Sequence, residues 1–246
     1  MSVRSMTPAT APPGQPAELR VALERVAQAL EAQQQQQEVL WRQTEALTSL
    51  LARIQPTAPF PPTRGWAASP DFLIYLAEAI FRERPRHVVE ASSGVTTLTS
   101  AYCLKRMVHG HVTALEHDEN YVASTKEMLA THGLSDLATV VYAPLIEQEI
   151  DGETFLWYDP AALEGIEAAD FLLVDGPPAR SCPLARYPVL PKLAPVLTTN
   201  AMILLDDGDR APEQEIVRRW CAKYPSLESE YLSTEKGAFS LRWRGC

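Results

Sequence analysis

The chain has 246 residues and is short of cysteine, of positive charge and of long apolar runs. Its four cysteines, Cys103, Cys182, Cys221 and Cys246, form no CxxC pair. That spacing argues against a disulfide scaffold or a structural zinc site, and for reduced thiols in a cytoplasmic protein. Lys and Arg total 22 against 31 Asp and Glu, a formal net charge of −9. Arg82, Arg84 and Arg86 come nearest to a basic run, and Glu83 and Pro85 interrupt it. Nucleic-acid binders present a basic stripe to the phosphates, so no nucleic-acid partner is expected. No apolar stretch nears the roughly 20 residues that cross a bilayer, and Met1 to Gln15 lacks the apolar segment of a signal peptide. No membrane partner is expected.

What is present divides along the chain. A hydrophobic fraction of 46% is ordinary for a globular protein, and the length suits one domain with an appendage. Residues 1–16, rich in Pro, Ala and Thr, read as disordered. Residues 17–55 read as a coiled-coil helix. One seam position holds Leu19, Val26, Gln33, Leu40, Leu47 and Ile54, and the other holds Leu23, Leu30, Gln37, Thr44 and Leu51. This seam predicts a homo-oligomer assembled through residues 19–54; the alternative is a long amphipathic helix packed on its own domain. Residues 56–64, with Pro56, Pro59, Pro61 and Pro62, read as an extended linker.

From residue 65 to 246 strand and helix signals alternate. Strands are predicted at 87–90, 112–116, 138–142, 170–175, 201–206, 228–233 and 238–243, and helices at 96–107, 119–132, 183–194 and 211–223. A further helix starts at Ser69-Pro70-Asp71, with Ser69 as N-cap. The pattern predicts an α/β domain with a parallel sheet covered by helices, its last two strands forming a hairpin across the short Thr234–Gly237 connection.

The most informative stretch is His87-Val88-Val89-Glu90-Ala91-Ser92-Ser93-Gly94-Val95-Thr96-Thr97. A β-branched run ends in a carboxylate, and a small-residue loop leads straight into a helix. Such loops bring backbone N–H groups to a ligand at a helix N-terminus. About twenty residues beyond Gly94, the run Val112–Leu115 ends in Glu116, where βαβ nucleotide sites hold a ribose.

These residues resemble class I S-adenosylmethionine-dependent methyltransferases, over residues 65–244. Small bacterial members read E-x-G-S-G-x-S-T, L-E-H-D, V-D-G-P-P and L-L-D-D at successive strand ends. This chain has Glu90–Thr97, Leu115-Glu116-His117-Asp118, Val174-Asp175-Gly176-Pro177-Pro178 and Leu204-Leu205-Asp206-Asp207, with Arg210 nearby. The resemblance implies a seven-stranded Rossmann-like sheet and S-adenosylmethionine as cofactor. It implies cofactor contacts from Glu90, Ser92, Ser93, Gly94, Thr96, Thr97, Glu116, His117, Ala143 and Asp175. Glu116 would take both ribose hydroxyls, and Glu90 would order the loop and face the methionine ammonium. Two positions depart from the family. Ser92 replaces a Gly, and fits only if the loop does not demand a positive φ there. Ala143 ends the third strand where many relatives have an Asp.

For the chemistry, the resemblance points to Asp175 as the group that takes a hydroxyl proton, with Arg210 beside it. Catechol-type relatives hold a divalent ion on a comparable set, here Asp175, Asp206 and Asp207, which allows Mg²⁺ as a second cofactor. Arg210 could neutralise that acidic cluster or hold an anionic substrate, and reads equally as a structural ion pair to Asp207 or Asp209. Arg180 and Arg186 follow the fourth strand, where relatives face substrate, but surface arginines are as common. Trp157 and Tyr158 sit in an insertion, where an aromatic pair could line a substrate pocket but reads more readily as packing over the sheet. His109 and His111 read as solvated. The expected acceptor is a small molecule or sugar-like hydroxyl compound. Two competitors stand beside this. A nicotinamide dehydrogenase is disfavoured because only Gly94 of a G-x-G-x-x-G is present. A catalytically inactive scaffold assembled through its coiled coil would bind no cofactor.

Overall fold

The computed structural model describes residues 15–245; of the segment 1–16 expected to be disordered, residues 1–14 lie outside the described residues, and Gln15 and Pro16 open a helix instead. The chain divides into two units, Met1–Arg42 and Gln43–Cys246. A single helix, α1 (Gln15–Ile54), supplies the described part of the first and the opening of the second. Between residues 17 and 54 there is neither Gly nor Pro, and Ala, Leu, Glu, Gln and Arg dominate, all strong helix formers. The helix stops where Gln55 takes a left-handed φ of 49° before Pro56. In the first unit Leu19, Leu23, Val26, Leu30 and Leu40 are exposed.

In the second unit the end of α1 is core. Leu50 and Ile54 are buried with Phe72, Leu76, Leu98 and Tyr102, and Leu47 packs against the same cluster. Over these residues the chain's own domain takes the apolar face, so the seam expected through 19–54 is left open only over 19–40. The expected linker is likewise stitched down: the Thr57 N–H donates to Tyr102 Oη at 2.9 Å, and Thr57 Oγ1 donates to the His132 carbonyl at 3.0 Å.

Helices α2 (Pro70–Glu83), α3 (Val95–Met107) and α4 (Glu119–Thr131) alternate with strands β1 (His87–Ala91), β2 (His111–Glu116) and β3 (Ala138–Tyr142). Ser69 occupies the N-cap of α2 with Pro70 following, but its hydroxyl donates to Asp71 Oδ1 (2.6 Å) instead of capping the backbone. A hairpin of β4 (Leu145–Ile150) and β5 (Glu153–Tyr158) then forms its own two-stranded sheet. It occupies the stretch that reads in sequence as an insertion after the third strand. The chain continues through β6 (Ala169–Val174), α5 (Val189–Leu193), β7 (Leu197–Asp206), α6 (Ala211–Lys223), β8 (Glu228–Leu232) and β9 (Ala238–Arg242). The helix expected over 183–194 is thus cut to one short turn, because Pro188 and Pro191 remove backbone donors. The strand expected at 201–206 starts earlier, at Leu197.

The main sheet has seven strands in the order β3-β2-β1-β6-β7-β9-β8. All pairs are parallel except those of β9, which runs antiparallel to both β7 and β8. Alternate residues face opposite cores: Val88, Phe171 and Leu173 on one side, Val89, Leu172 and Val174 on the other. A parallel sheet covered on both faces needs such continuous apolar strands. The order reverses between β1 and β6, and ligands of open α/β sheets bind in the crevice at that switch, beyond the strands' C-terminal ends.

Candidate active site

At that switch point lies a cavity of about 660 Å³, within the usual range for ligand pockets. Its floor is the turn after β1. The Ser92 N–H donates to the Leu115 carbonyl (3.0 Å) and the Asp175 N–H to the Ala91 carbonyl (3.1 Å), which ties the ends of β1, β2 and β6 together. Ser92 has φ 123° and Gly94 φ 146°. The loop therefore does demand a positive φ at position 92, and a serine holds it. Gly176 lies against this turn: a Cβ there would come within 3.0 Å of Tyr158 Oη and 3.1 Å of Ser92 Cβ, so a larger residue would have to press both aside by a few tenths of an ångström.

Glu90 is fully buried under the loop. It accepts hydrogen bonds from the Thr96 hydroxyl and from Thr97 Oγ1 (2.8 Å), and Thr97 Oγ1 also accepts from the Gly94 N–H (3.0 Å). Burial raises its pKa to about 8, although the two threonine hydroxyls oppose the shift. Glu116 is poised differently. At the tip of β2 its carboxylate accepts from Ser93 Oγ (3.0 Å) and from the Asp118 N–H (3.0 Å), and His117 Nδ1 lies 2.9 Å away. Ser92, Ser93, Gly94, Thr96, Glu116, His117 and Asp175 all line the cavity. Glu90, Thr97 and Ala143 are buried and do not line it. Glu90 and Thr97 shape the loop from behind.

The opposite wall is acidic with arginines set into it. Asp175 follows β6, Asp206 ends β7 and Asp207 follows it; one carboxylate oxygen from each lies within 4.8 Å of the others. Asp207 has φ 63°, a left-handed conformation that Asp tolerates better than most residues. The Asp206 carboxylate accepts from the Asp207 N–H (2.8 Å). Burial pushes both Asp175 and Asp206 above the usual carboxylate range; Arg186 opposes this for Asp175, and the neighbouring carboxylates reinforce it for both.

Arg186 is buried in the middle of this wall and lines the cavity, so of its two readings the surface one fails. Its Nη2 lies 3.2 Å from Asp175 Oδ1 and 2.8 Å from Asp207 Oδ2. No local pattern announces it, because its partners come from strands β6 and β7. Arg210 Nη1 reaches the same Asp207 oxygen at 2.8 Å, so the ion-pair reading of Arg210 holds while its outer part remains exposed on the cavity wall. Tyr158, from the hairpin missed in sequence, also lines the cavity, and its pKa is driven up by burial. His111 is away from the site. It opens β2 and pairs with Thr139 Oγ1 at 2.8 Å, so it is not simply solvated.

The mouth is formed by Pro61, Pro62 and Trp66 from the segment before α2, and by Arg180 and Lys236. The Lys236 ammonium donates to the Gly65 and Ala67 carbonyls (2.9 Å each), and the Arg180 guanidinium lies 5.5 Å over the Trp66 ring. Among the described residues neither cation has an ion pair.

Comparison with known proteins agrees with this geometry. No curated protein matches the chain in sequence. Solved structures share its fold at low identity. A Podospora anserina methyltransferase bound to SAH has a TM-score of 0.56 at 14% identity, covering 80% of this chain and 87% of that one. A Bacillus cereus O-methyltransferase in complex with SAH has 0.54 at 15%, covering 81% and 90%. The Streptomyces achromogenes O-methyltransferase TomG, involved in tomaymycin synthesis and solved with SAM, has 0.53 at 15%, covering 82% and 90%. A family model described as a methyltransferase domain matches residues 91–208, the span from the end of β1 to the turn after β7 that builds both walls of the cavity. Over residues 91–208 the chain matches a methyltransferase domain, and it shares the fold of these solved methyltransferases.

Proposed function

We propose that this protein transfers a methyl group from S-adenosylmethionine to a hydroxyl oxygen of a small-molecule or sugar-like acceptor. One observation carries the reading: a single cavity joins a carboxylate placed for a ribose, Glu116, to a second carboxylate 59 positions further along the chain, Asp175, on the facing wall. When bound, S-adenosylmethionine supplies an electrophilic methyl group. Glu116 would accept both ribose hydroxyls in place of its present bonds to Ser93 and Asp118, a bidentate task suited to a carboxylate. The Ser92–Gly94 turn would present its backbone to the methionine portion, with Glu90 holding that turn from below. The rim residue His117 would border the adenine.

Asp175 would take the acceptor's hydroxyl proton as the new C–O bond forms. Its raised pKa brings its proton affinity closer to that of its task at neutral pH than an exposed Asp would have. Holding donor and acceptor in line supplies most of the rate enhancement. The cations at the mouth, Arg180, Arg210 and Lys236, suit an acceptor that carries negative charge in a protein that is otherwise acidic. The exposed apolar seam over residues 19–40 supports self-association of α1 with a second copy. The free thiols Cys103, Cys182 and Cys221 suit a reducing, cytoplasmic setting.

Calorimetric titration with S-adenosylmethionine and with S-adenosylhomocysteine tests the reading. Micromolar binding to the protein, lost in Glu116→Ala, is expected. No heat and no thermal shift with either ligand would overturn it and leave the domain a scaffold.

A further inference from the structure

The same resemblance that suggests S-adenosylmethionine brings a divalent ion to Asp175, Asp206 and Asp207, and the three carboxylates do converge. A cation is already built into the place where they meet. Arg186 Nη2 lies 3.2 Å from Asp175 Oδ1 and 2.8 Å from Asp207 Oδ2, and donates to the Asp175 carbonyl at 3.0 Å. Its Nη1 donates to the Asp206 carbonyl at 2.9 Å and lies 3.8 Å from Glu213 Oε1. One planar fork therefore touches all three residues of the trio. Arg210 adds a second guanidinium to Asp207 Oδ2 at 2.8 Å.

We infer that the buried guanidinium of Arg186 is the resident cation of this site, standing where metal-using relatives place a divalent ion, so that the chain's chemistry needs no metal. Mg²⁺ requires several oxygens at about 2.0–2.1 Å in near-octahedral array. Here the oxygens that face one another are already committed to N–H donors, and a divalent ion would sit against a guanidinium. That group cannot escape by losing its proton. Nor does it have room to swing aside, because Glu213 and two backbone carbonyls hold it from behind. Among the described residues Asp207 Oδ1 is the one buried oxygen of the trio without a hydrogen-bond partner, and an ion drawn to it or to the second oxygens of Asp175 and Asp206 would meet the guanidinium that bridges Asp175 and Asp207. Arg186 acts through Asp175, which it fixes against the cavity; it is a positioning residue. No step of the transfer runs through a metal.

The ion-binding test does not depend on the methyl-transfer reading. Intact, chelator-treated protein is titrated with Mn²⁺ and the free-ion signal followed by electron paramagnetic resonance. The wild type is expected to leave that signal undiminished at millimolar ion. Arg186→Met, its fold verified by circular dichroism, is expected to bind one Mn²⁺ per chain, and the added change Asp207→Asn to abolish that binding. Arg186→Gln, which keeps a donor amide, replaces the Met variant if that fails to fold. Stoichiometric Mn²⁺ binding by the wild type overturns the inference, as does a folded Arg186 variant that binds none. Once an acceptor is in hand, turnover with EDTA equal to turnover with Mg²⁺ is the expected companion result. A tenfold loss in EDTA that Mg²⁺ restores would sink the inference while leaving the methyltransferase reading in place.

Discussion

Ser92 holds a backbone conformation that glycine adopts freely, with φ 123° immediately after β1. Residues held in such regions cost on the order of 1–3 kcal/mol. Ser92→Gly is therefore expected to stabilise the domain by about 1 kcal/mol, after the greater chain entropy of glycine is subtracted, as read by urea denaturation. A loss of stability would mean that the serine side chain contributes something its surroundings do not show. Glu90 is the second strained position, electrostatically. Its folded pKa, raised by burial to about 8, lies above that of the unfolded chain, so the folded state holds a proton that the unfolded state releases. Its contribution is intact below the unfolded value and is lost as pH rises towards 8. Glu90→Gln keeps an acceptor for the threonines without the charge. The difference in melting temperature between variant and wild type should grow in the variant's favour from pH 5 to pH 8; a difference flat with pH would refute the assignment. Asp175 works in the opposite sense on activity, because it acts as a base only when ionised. Turnover should fall as pH drops through its raised pKa, at a higher pH than an exposed Asp would give.

The end of α1 behaves as part of the domain and its beginning does not. Leu50→Ala, at a buried position shared with α2 and α3, should cost about 2–5 kcal/mol of stability. Deleting residues 1–42 should leave the melting temperature of the remainder within a few degrees while reducing the molar mass measured by light scattering to one chain. A truncated chain that still self-associates would place the interface elsewhere. The heptad was legible in sequence, but which of its positions face the chain's own core was not, since Leu47 and Ile54 satisfy both patterns equally. The strands that carry Glu90, Glu116, Asp175 and Asp206 were legible too, because each is an apolar run ending in an acid. The hairpin β4–β5 carries its sequence signal at the turn: Asp151-Gly152, with φ 55° and 79°, is the Asp-Gly pair of a tight hairpin turn. Its strands hid behind three glutamates in Leu145–Glu153, which break the apolar alternation. Arg186 could not be read from any window of sequence, because its meaning lies in partners 11 and 21 positions away.

Taken as a whole, the molecule is acidic, with a formal charge of −9, while the mouth of its cavity carries Arg180, Arg210 and Lys236. Removing the mouth charge with Lys236→Ala should raise KM for an anionic acceptor several-fold with little change in kcat, and added salt should reduce the difference. Equal effects on a neutral acceptor would show that Lys236 acts by holding the Gly65–Ala67 segment in place instead. The sheet's connectivity bears on synthesis as well. The last strand in sequence, β9, is not at an edge: it lies between β7 and β8. A nascent chain that has reached β8 therefore leaves the whole outer edge of β7 unpaired, its apolar residues Met202 to Leu205 open to any neighbouring strand. The interval before residues 238–242 emerge is the period of greatest exposure to aggregation, and the time when a chaperone has most to protect.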